Sequence, residues 1–503
     1  MAQVSELKAQ QFVNATLNMR SWGDLIFNVK AFGAVGNGIA DDTQAVNAAA
    51  MAAMANGGGV VKLPPGIYNV SGSITAITKG GVYFEGSGPY ATIIRHKSDT
   101  GNLFQFGDVS LGGIGVIRGG GVSNLSIHHN TTRSSGVTVL MQNAQNIKVK
   151  DVQFQNAITF AQCGGGTDDS SLFTVLEDVI GSLTGNGVGV DIRGGSHGIH
   201  LLNLQFNNEY NGTAIRINTT AKGMDTLYMD NCLFQRFMFG MLCNSALGTV
   251  QNAFLTNVVF DGMDVYSLLF QPSASAIYTR FNFVGCWFTS RTNAAVVIDG
   301  PSTTIVDGIY FADSRWVTVY KQGVFVVSQY VKNIDIDNCI LSNCSTEGSG
   351  LHPAIQIVDN TKKFNITNSK IGEEGATLAL QSYAIRIGAN CDLYTIANND
   401  LIGNVTGAIW DGAGTYTAKL IKDNLGYNPV GNLAPPALPT SGTALKNPFS
   451  SPVQVFIYAG TVTSIAKNGS SIPGMANGQM ILYPGESITV SYTAAPTWSW
   501  FGL

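Results

Sequence analysis

The apolar positions of this chain repeat in a way that no straight strand satisfies. "VKNIDIDNCIL" (Val331 to Leu341) and "TKKFNITNSKI" (Thr361 to Ile371) share one pattern: apolar-x-apolar-x-N-apolar-x-apolar. Asn338 and Asn368 hold the N position. The pattern returns with Asp151, Asn203, Asn231, Asn257, Gly285, Asp313 and Asn398 there, and in weaker copies with Asn124, Asp178 and Asp423. Successive marks lie about 25 to 30 residues apart, about 27 on average, a period typical of repeat architectures. Apolar residues at −4 and −2 alternate as a strand does. Those at +1 and +3 are out of phase by one, and in a straight strand they would face outward. A corner at the mark keeps them inward. Asn, Asp and Gly are the residues that tolerate a left-handed corner.

Each repeat therefore holds two short strands meeting at a bend. A third strand follows in "AIRIN", "AVVIDG", "AIQIV" and "AIRIG", near Ile215, Val297, Ile355 and Ile385. Three strands per turn predict a parallel β-helix with coils stacked about 4.8 Å apart. The +3 slots form an inward ladder of Phe154, Phe206, Phe234, Phe260, Phe288 and Trp316, with a gap at Gly181. The +1 slots hold Cys232, Val258, Cys286, Ser314, Cys339 and Ser369, so these cysteines read as small core residues. Outward slots of the middle coils carry Leu202, Tyr228, Leu233, Phe254, Val259, Val284, Trp287 and Tyr310. The later coils carry Asp335, Asp337, Asn365, Thr367 and Lys370 instead. An apolar outward stripe predicts a partner surface, and a chain packing on copies of itself closes by symmetry.

Ahead of the repeats stands "FNVKAFGAVGNGIADDTQAVNAAA" (Phe27 to Ala50). Gly33, Gly36 and Gly38 match neither phosphate-loop spacing, and no lysine follows. Asp41 or Asp42 can accept a backbone N–H at a helix start, with Thr43 in the first turn. An Ala- and Met-rich helix to Ala55 follows, and "NGGG" (Asn56 to Gly59) stops it. "VVKLPPGIYNV" then reads as strand, turn, strand. A short helix feeding into strands is a cap on the first coil.

Charged residues are only 12% of the chain and net charge is −4, which argues against nucleic-acid partners. No apolar run approaches the roughly 18 residues of a membrane span. The N-terminus lacks a basic region followed by an apolar core, so no classical signal peptide is expected. Seven cysteines without CxxC or paired spacing make disulfides or a zinc site unexpected.

The Phe27–Ala50 stretch followed by "GGGVVKLPPGIYNV" resembles the N-terminal segment of the pectate-lyase-like β-helix superfamily, especially bacteriophage tailspikes. With the repeats, the resemblance extends to about Tyr427. It implies an all-β, right-handed parallel β-helix, commonly a homotrimer, acting on a bacterial surface polysaccharide from the virion. It transfers no catalytic residues. The expected organisation is a neck at 1–26 for another phage tail protein, a capping segment at 27–59 and the β-helix at 60–430. A Pro-rich linker at 431–442 and a small β-domain at 443–503 for trimer clamping or sugar contact complete it. Trp498 and Trp500 are expected to bury together.

Glycoside cleavage needs a proton donor and a carboxylate. Loops leaving the +3 position carry Glu209, Arg236, Asp261, Asp264 and Arg291 on successive coils, with Tyr210 and Tyr266 beside them. A plain surface charge ladder gives the same alternation. The expectation is a hydrolase with Glu209 and Asp264 as the pair, Asp261 nearby, and Arg236, Tyr210, Tyr266 and Arg291 binding substrate. Two coil steps place the pair about 9.6 Å apart, near the upper edge for inversion. A lyase could use the same Arg and Tyr groups, and a non-catalytic receptor-binding spike is the other class. Asp168 and Asp169 read as a cap or turn. Asp191, Arg193, His197 and His200 crowd one coil without ligand spacing, so neither metal nor cofactor is expected.

Overall fold

The computed structural model describes residues 25–108, 117–131, 133–165, 171–220, 222–273, 275–374, 380–414, 418–427, 431–449 and 451–503. Residues 1–24 of the expected neck and the Asp168–Asp169 pair lie outside these residues. The chain divides into two units, one ending at Asp264 and one running from Val265 to Leu503.

In the first unit the helix Thr43–Ala55 buries Ala45, Val46, Ala49, Ala50 and Ala53. The two aspartates before it divide the work. Asp41 accepts the Thr43 N–H at 3.0 Å, while Asp42 reaches back to the Val35 N–H at 2.7 Å and holds the glycine loop. Strands Gly59–Lys62 and Gly66–Val70 follow as expected. Long strands Ala144–Cys163, Val175–Arg193, Gln205–Asn218 and Leu233–Cys243 then stack in parallel. In the second unit the series Ile277–Val284, Ile305–Ala312, Val331–Asp337, Lys362–Thr367, Asp392–Ala397 and Lys419–Lys422 is likewise parallel. So is the third-strand series Val296–Ile298, Val324–Val326, Ile355–Ile357, Tyr383–Ile387 and Gly407–Asp411. Both units are parallel β-helix.

Every marked corner, from Asn124 to Asp423, sits at φ between 50° and 65°. The corner N–H groups of Asn203 and Asn231 bond carbonyls of the following coil, at Asp230 and Thr256. Their side chains form a second ladder: Asn231 donates to Asn203 at 3.0 Å and Asn203 to Asp178 at 3.0 Å.

The inward ladder is buried throughout. Phe154, Gly181, Phe206, Phe234 and Phe260 stand in register. Gly181 is the reason the Phe154 and Phe206 rings meet at 5.1 Å although a coil lies between them. A Cβ at Gly181 would come within 2.4 Å of the Phe154 ring. All seven cysteines are buried and free. Burial pushes the Cys232 and Cys339 thiols up to about 12, which leaves them unreactive packing groups.

The C-terminal residues form two four-stranded antiparallel sheets around one core that includes Ile457, Ile465, Ile488, Trp498 and Trp500. The two tryptophan rings meet at 5.3 Å. Here the expected linker differs. Gly431–Leu433 pairs with Thr497–Gly502, Trp498 Nε1 donates to the Pro436 carbonyl at 3.0 Å, and Tyr492 donates to that of Pro439 at 2.8 Å. Prolines that cannot donate still accept, so the segment is strapped onto the sheets rather than free.

Candidate functional site

The candidate edge in the first unit is built on a register slip. Strand Gln205–Asn218 pairs with Leu233–Cys243 at Asn207↔Gln235 and next at Asn211↔Phe237. The first strand therefore carries two residues more than its partner across that gap. The surplus lifts out as a crest bearing Glu209 and Tyr210, both exposed, with Tyr210 at φ 62°. Asn208 holds the crest from beneath. It is buried, donates to the Gly185 carbonyl at 3.1 Å and that of Asn211 at 2.8 Å, and accepts the Glu209 N–H at 2.7 Å. The cluster "NNEYNG" is rich in turn formers, but nothing in it singles out Asn208 as the brace.

On the next coil Arg236 is exposed at a left-handed corner, φ 59°, and its counterpart on the coil after is Gly262, φ 63°. Gln235 stands in register with Asp261 and donates to its carboxylate at 3.2 Å. The Asp264 N–H bonds the Phe237 carbonyl at 2.7 Å, so Asp264 stands one coil beyond the Asn211–Phe237 pair. Glu209, Tyr210, Arg236, Asp261 and Asp264 thus fall within one band of three successive coils. Counting from the corners put Glu209 and Asp264 at nearly equal offsets. The slip moves Glu209 off that count and outward from the coil.

Tyr266 and Arg291 belong to the second unit. Tyr266 opens the strand Tyr266–Phe270 and accepts a hydrogen bond from Asn293 at 2.9 Å; burial raises its phenol above the ordinary range. Arg291 is exposed just past the strand Trp287–Ser290.

The crowd around Asp191 resolves into an ion cluster. Asp191 is buried and takes two hydrogen bonds from Arg216, at 2.8 and 2.7 Å, and one from Arg193 at 2.9 Å. His200 packs against Tyr228 at 4.9 Å. Among the described residues no group of three or more His, Cys, Asp or Glu is placed to hold a metal. A separate recess of about 270 Å³ in the first unit is walled by Tyr90, Asp151, Asp178 and Ile180. Its Asp178 already serves the corner ladder.

A family model described as "Rhamnogalacturonase A/epimerase, pectate lyase-like" matches residues 26–234. Mannuronan C5-epimerase AlgE3 of Azotobacter vinelandii is 53% identical over 74 residues, 14% of this chain and 4% of the relative. Alginate lyase 7 of the same organism is 40% identical over 121 residues, 22% of this chain and 13% of the relative. The chain thus spans only a small part of the curated relatives it matches. Among solved structures, tailspike protein 3 of bacteriophage CBA120 aligns with TM-score 0.57 at 13% identity, covering 85% of this chain and 67% of that one. The N-terminal fragment of bacteriophage Phi29 gene product 12 aligns with TM-score 0.50 at 15% identity, covering 80% and 75%. Residues 26–234 are thus similar to a pectate-lyase-like family, and the likeness to the phage proteins is one of fold, a stack of parallel β-coils.

Proposed function

We propose that the protein is a polysaccharide-acting β-helix, a phage tailspike that binds and depolymerises a bacterial surface glycan, working as a homotrimer. The observation that carries the reading is the Glu209 crest. A braced bulge raises a carboxylate beside an exposed arginine, with two aspartates on the following coils. Bulges re-aim side chains next to active sites. An acid on a crest and a second acid across a gap give hydrolysis its proton donor and its base. Spacing of two coils, about 9.6 Å before the crest is counted, favours inversion over the 5 to 5.5 Å of retention. The outward aromatics of the middle coils support self-association, and the tailspike neighbour supports the virion as location.

A second reading is β-elimination or epimerisation of a uronate polymer. The N-terminal identity to an epimerase and a lyase favours it. There Tyr210 or Arg236 would take the proton and arginine would neutralise the carboxylate. Product analysis separates the readings. Hydrolysis gives new reducing ends without ultraviolet absorbance, elimination gives an absorbing unsaturated end, and epimerisation leaves chain length unchanged. Intact polymer of unchanged composition after incubation with host capsule or lipopolysaccharide would leave only a binding spike.

A further inference from the structure

The second unit carries a groove that the catalytic reading does not use. Its floor is a row of outward slots on the third-strand sheet. Phe325, Gln356, Arg386 and Trp410 stand in register on four successive coils. They face out because the residues flanking them, such as Ile355, Ile357, Ile385 and Ile387, face in and are buried. Three strand steps make the row about 14 Å long. The Arg386 guanidinium carbon sits over the Trp410 ring, 4.8 Å from its centroid, and Trp410 remains 40% exposed. A guanidinium held against an aromatic face keeps N–H donors for a planar acceptor. Among the described residues no carboxylate pairs with Arg386.

This recess holds about 400 Å³, and an adjoining one holds about 650 Å³; Gln329 and Asn360 line both. The second recess adds Lys332, Lys362, Lys363 and the exposed Tyr330. Lys332 is paired with Asp307 at 3.4 Å. Lys362 and Lys363 have no ion-pair partner among the described residues, although Asp392 stands in register with Lys362. Asp359 is the one acid among the lining residues, and it accepts the Ala389 N–H at 2.7 Å. A chain of net charge −4 thus gathers four cations and two exposed aromatic rings along one groove. A local excess of positive charge attracts an anionic polymer.

We propose that this groove binds a carboxylate-bearing glycan, with Arg386 taking a uronate carboxylate, Trp410 and Tyr330 packing against sugar faces, and Lys362 and Lys363 holding the next acidic unit. The inference rests on the polysaccharide reading and names its substrate class. A planar guanidinium fork matches a carboxylate in bidentate fashion. Within the row, Gln356 and Arg386 offer hydrogen-bonding side chains one strand step apart.

The test is calorimetric titration of the full chain with hexasaccharides of mannuronate, guluronate and galacturonate, with a sulfated hexasaccharide and with neutral dextran oligomers. Binding of at least one uronate, weakening as salt rises, with none of dextran, is expected. Arg386→Gln and the Lys362→Gln/Lys363→Gln pair should each weaken it at least about tenfold, as loss of charge-assisted hydrogen bonds does. Trp410→Ala should weaken it as well, with melting temperatures unchanged for the exposed Lys and Arg variants. Equal binding of dextran, or binding of the sulfated sugar alone, overturns the assignment. If the groove variants bind and cleave as wild type does, the groove inference falls and the depolymerase reading stands. If wild type neither binds nor alters any glycan, both fall.

Discussion

The slot three residues before each corner is the same backbone position in both units, yet its occupants differ. In the first unit it holds His200, Tyr228 and Phe254, with Tyr228 and Phe254 stacked at 5.3 Å. Later in the second unit it holds Asp335 and Asn365, joined by a 2.6 Å hydrogen bond, and beside them Thr367 donates to Asp337 at 2.7 Å. The coil folds equally well with either set, because the inward slots and the corners carry its stability. What an outward slot contains is therefore free to serve contact. Stacked aromatics left partly exposed suit a protein partner, and a hydrogen-bonded polar ladder suits water.

The largest effect that would break this comparison is on assembly. Tyr228→Glu in the first unit, or Trp287→Glu in the second, should convert a trimer to monomers by light scattering, since an unpaired carboxylate is costly to bury. Asn365→Ala should leave the mass unchanged. A monomeric wild type would end the account of the stripe. Inward changes should act the other way, lowering stability. Phe234→Ala, from a fully buried ladder, should cost about 3 to 5 kcal/mol in chemical denaturation. Gly181→Ala should cost about 1 to 3 kcal/mol, because a methyl enters the space the Phe154 and Phe206 rings share.

The smallest effect concerns a polar exception inside the first unit. His96 and His129 stand in register, buried, with ring nitrogens 3.1 Å apart and Arg133 at 3.1 Å from His96. Burial, with Arg133 adding to it, lowers His96 to about 4 and His129 to about 2, against an ordinary 6.5. Between pH 6.5 and about 4 the unfolded chain binds protons that the folded chain refuses. Stability is then fully present above pH 6.5 and is lost as pH falls through that window. The melting temperature should fall over that range, and His129→Phe should flatten the slope.

Much of the fold was legible because its corners have a chemical signature. Asn, Asp or Gly at the mark reports a left-handed residue directly. A second corner, five residues earlier, was legible only on some coils, where Asn146, Gly198, Asn252, Gly308 and Asn333 hold it. On others it is occupied by Phe173, Thr226, Arg280, Lys363 and Leu393, all at φ between 54° and 64°, residues with no preference for that region. Their conformation is imposed by the stacking of neighbouring coils. The candidate edge was legible as a band and not as a geometry. Glu209 and Asp264 can be counted from their corners, but the slip at Asn207–Asn211 depends on the partner strand. The groove was missed because Arg386 sits in "AIRIG", which reads only as a third strand, and Trp410 sits in "GAIWDG", which matches no motif singled out in the sequence. Register brings them together, and no local motif marks it.

The most direct measurement is the rate at which Glu209→Gln and Asp264→Asn, each confirmed to assemble as wild type, shorten the host polysaccharide. Retained glycan binding with cleavage slowed at least about a hundredfold in both, as loss of a general acid or base predicts, is the expected result. Cleavage near the wild-type rate in both variants would contradict the assignment of the crest as the active site.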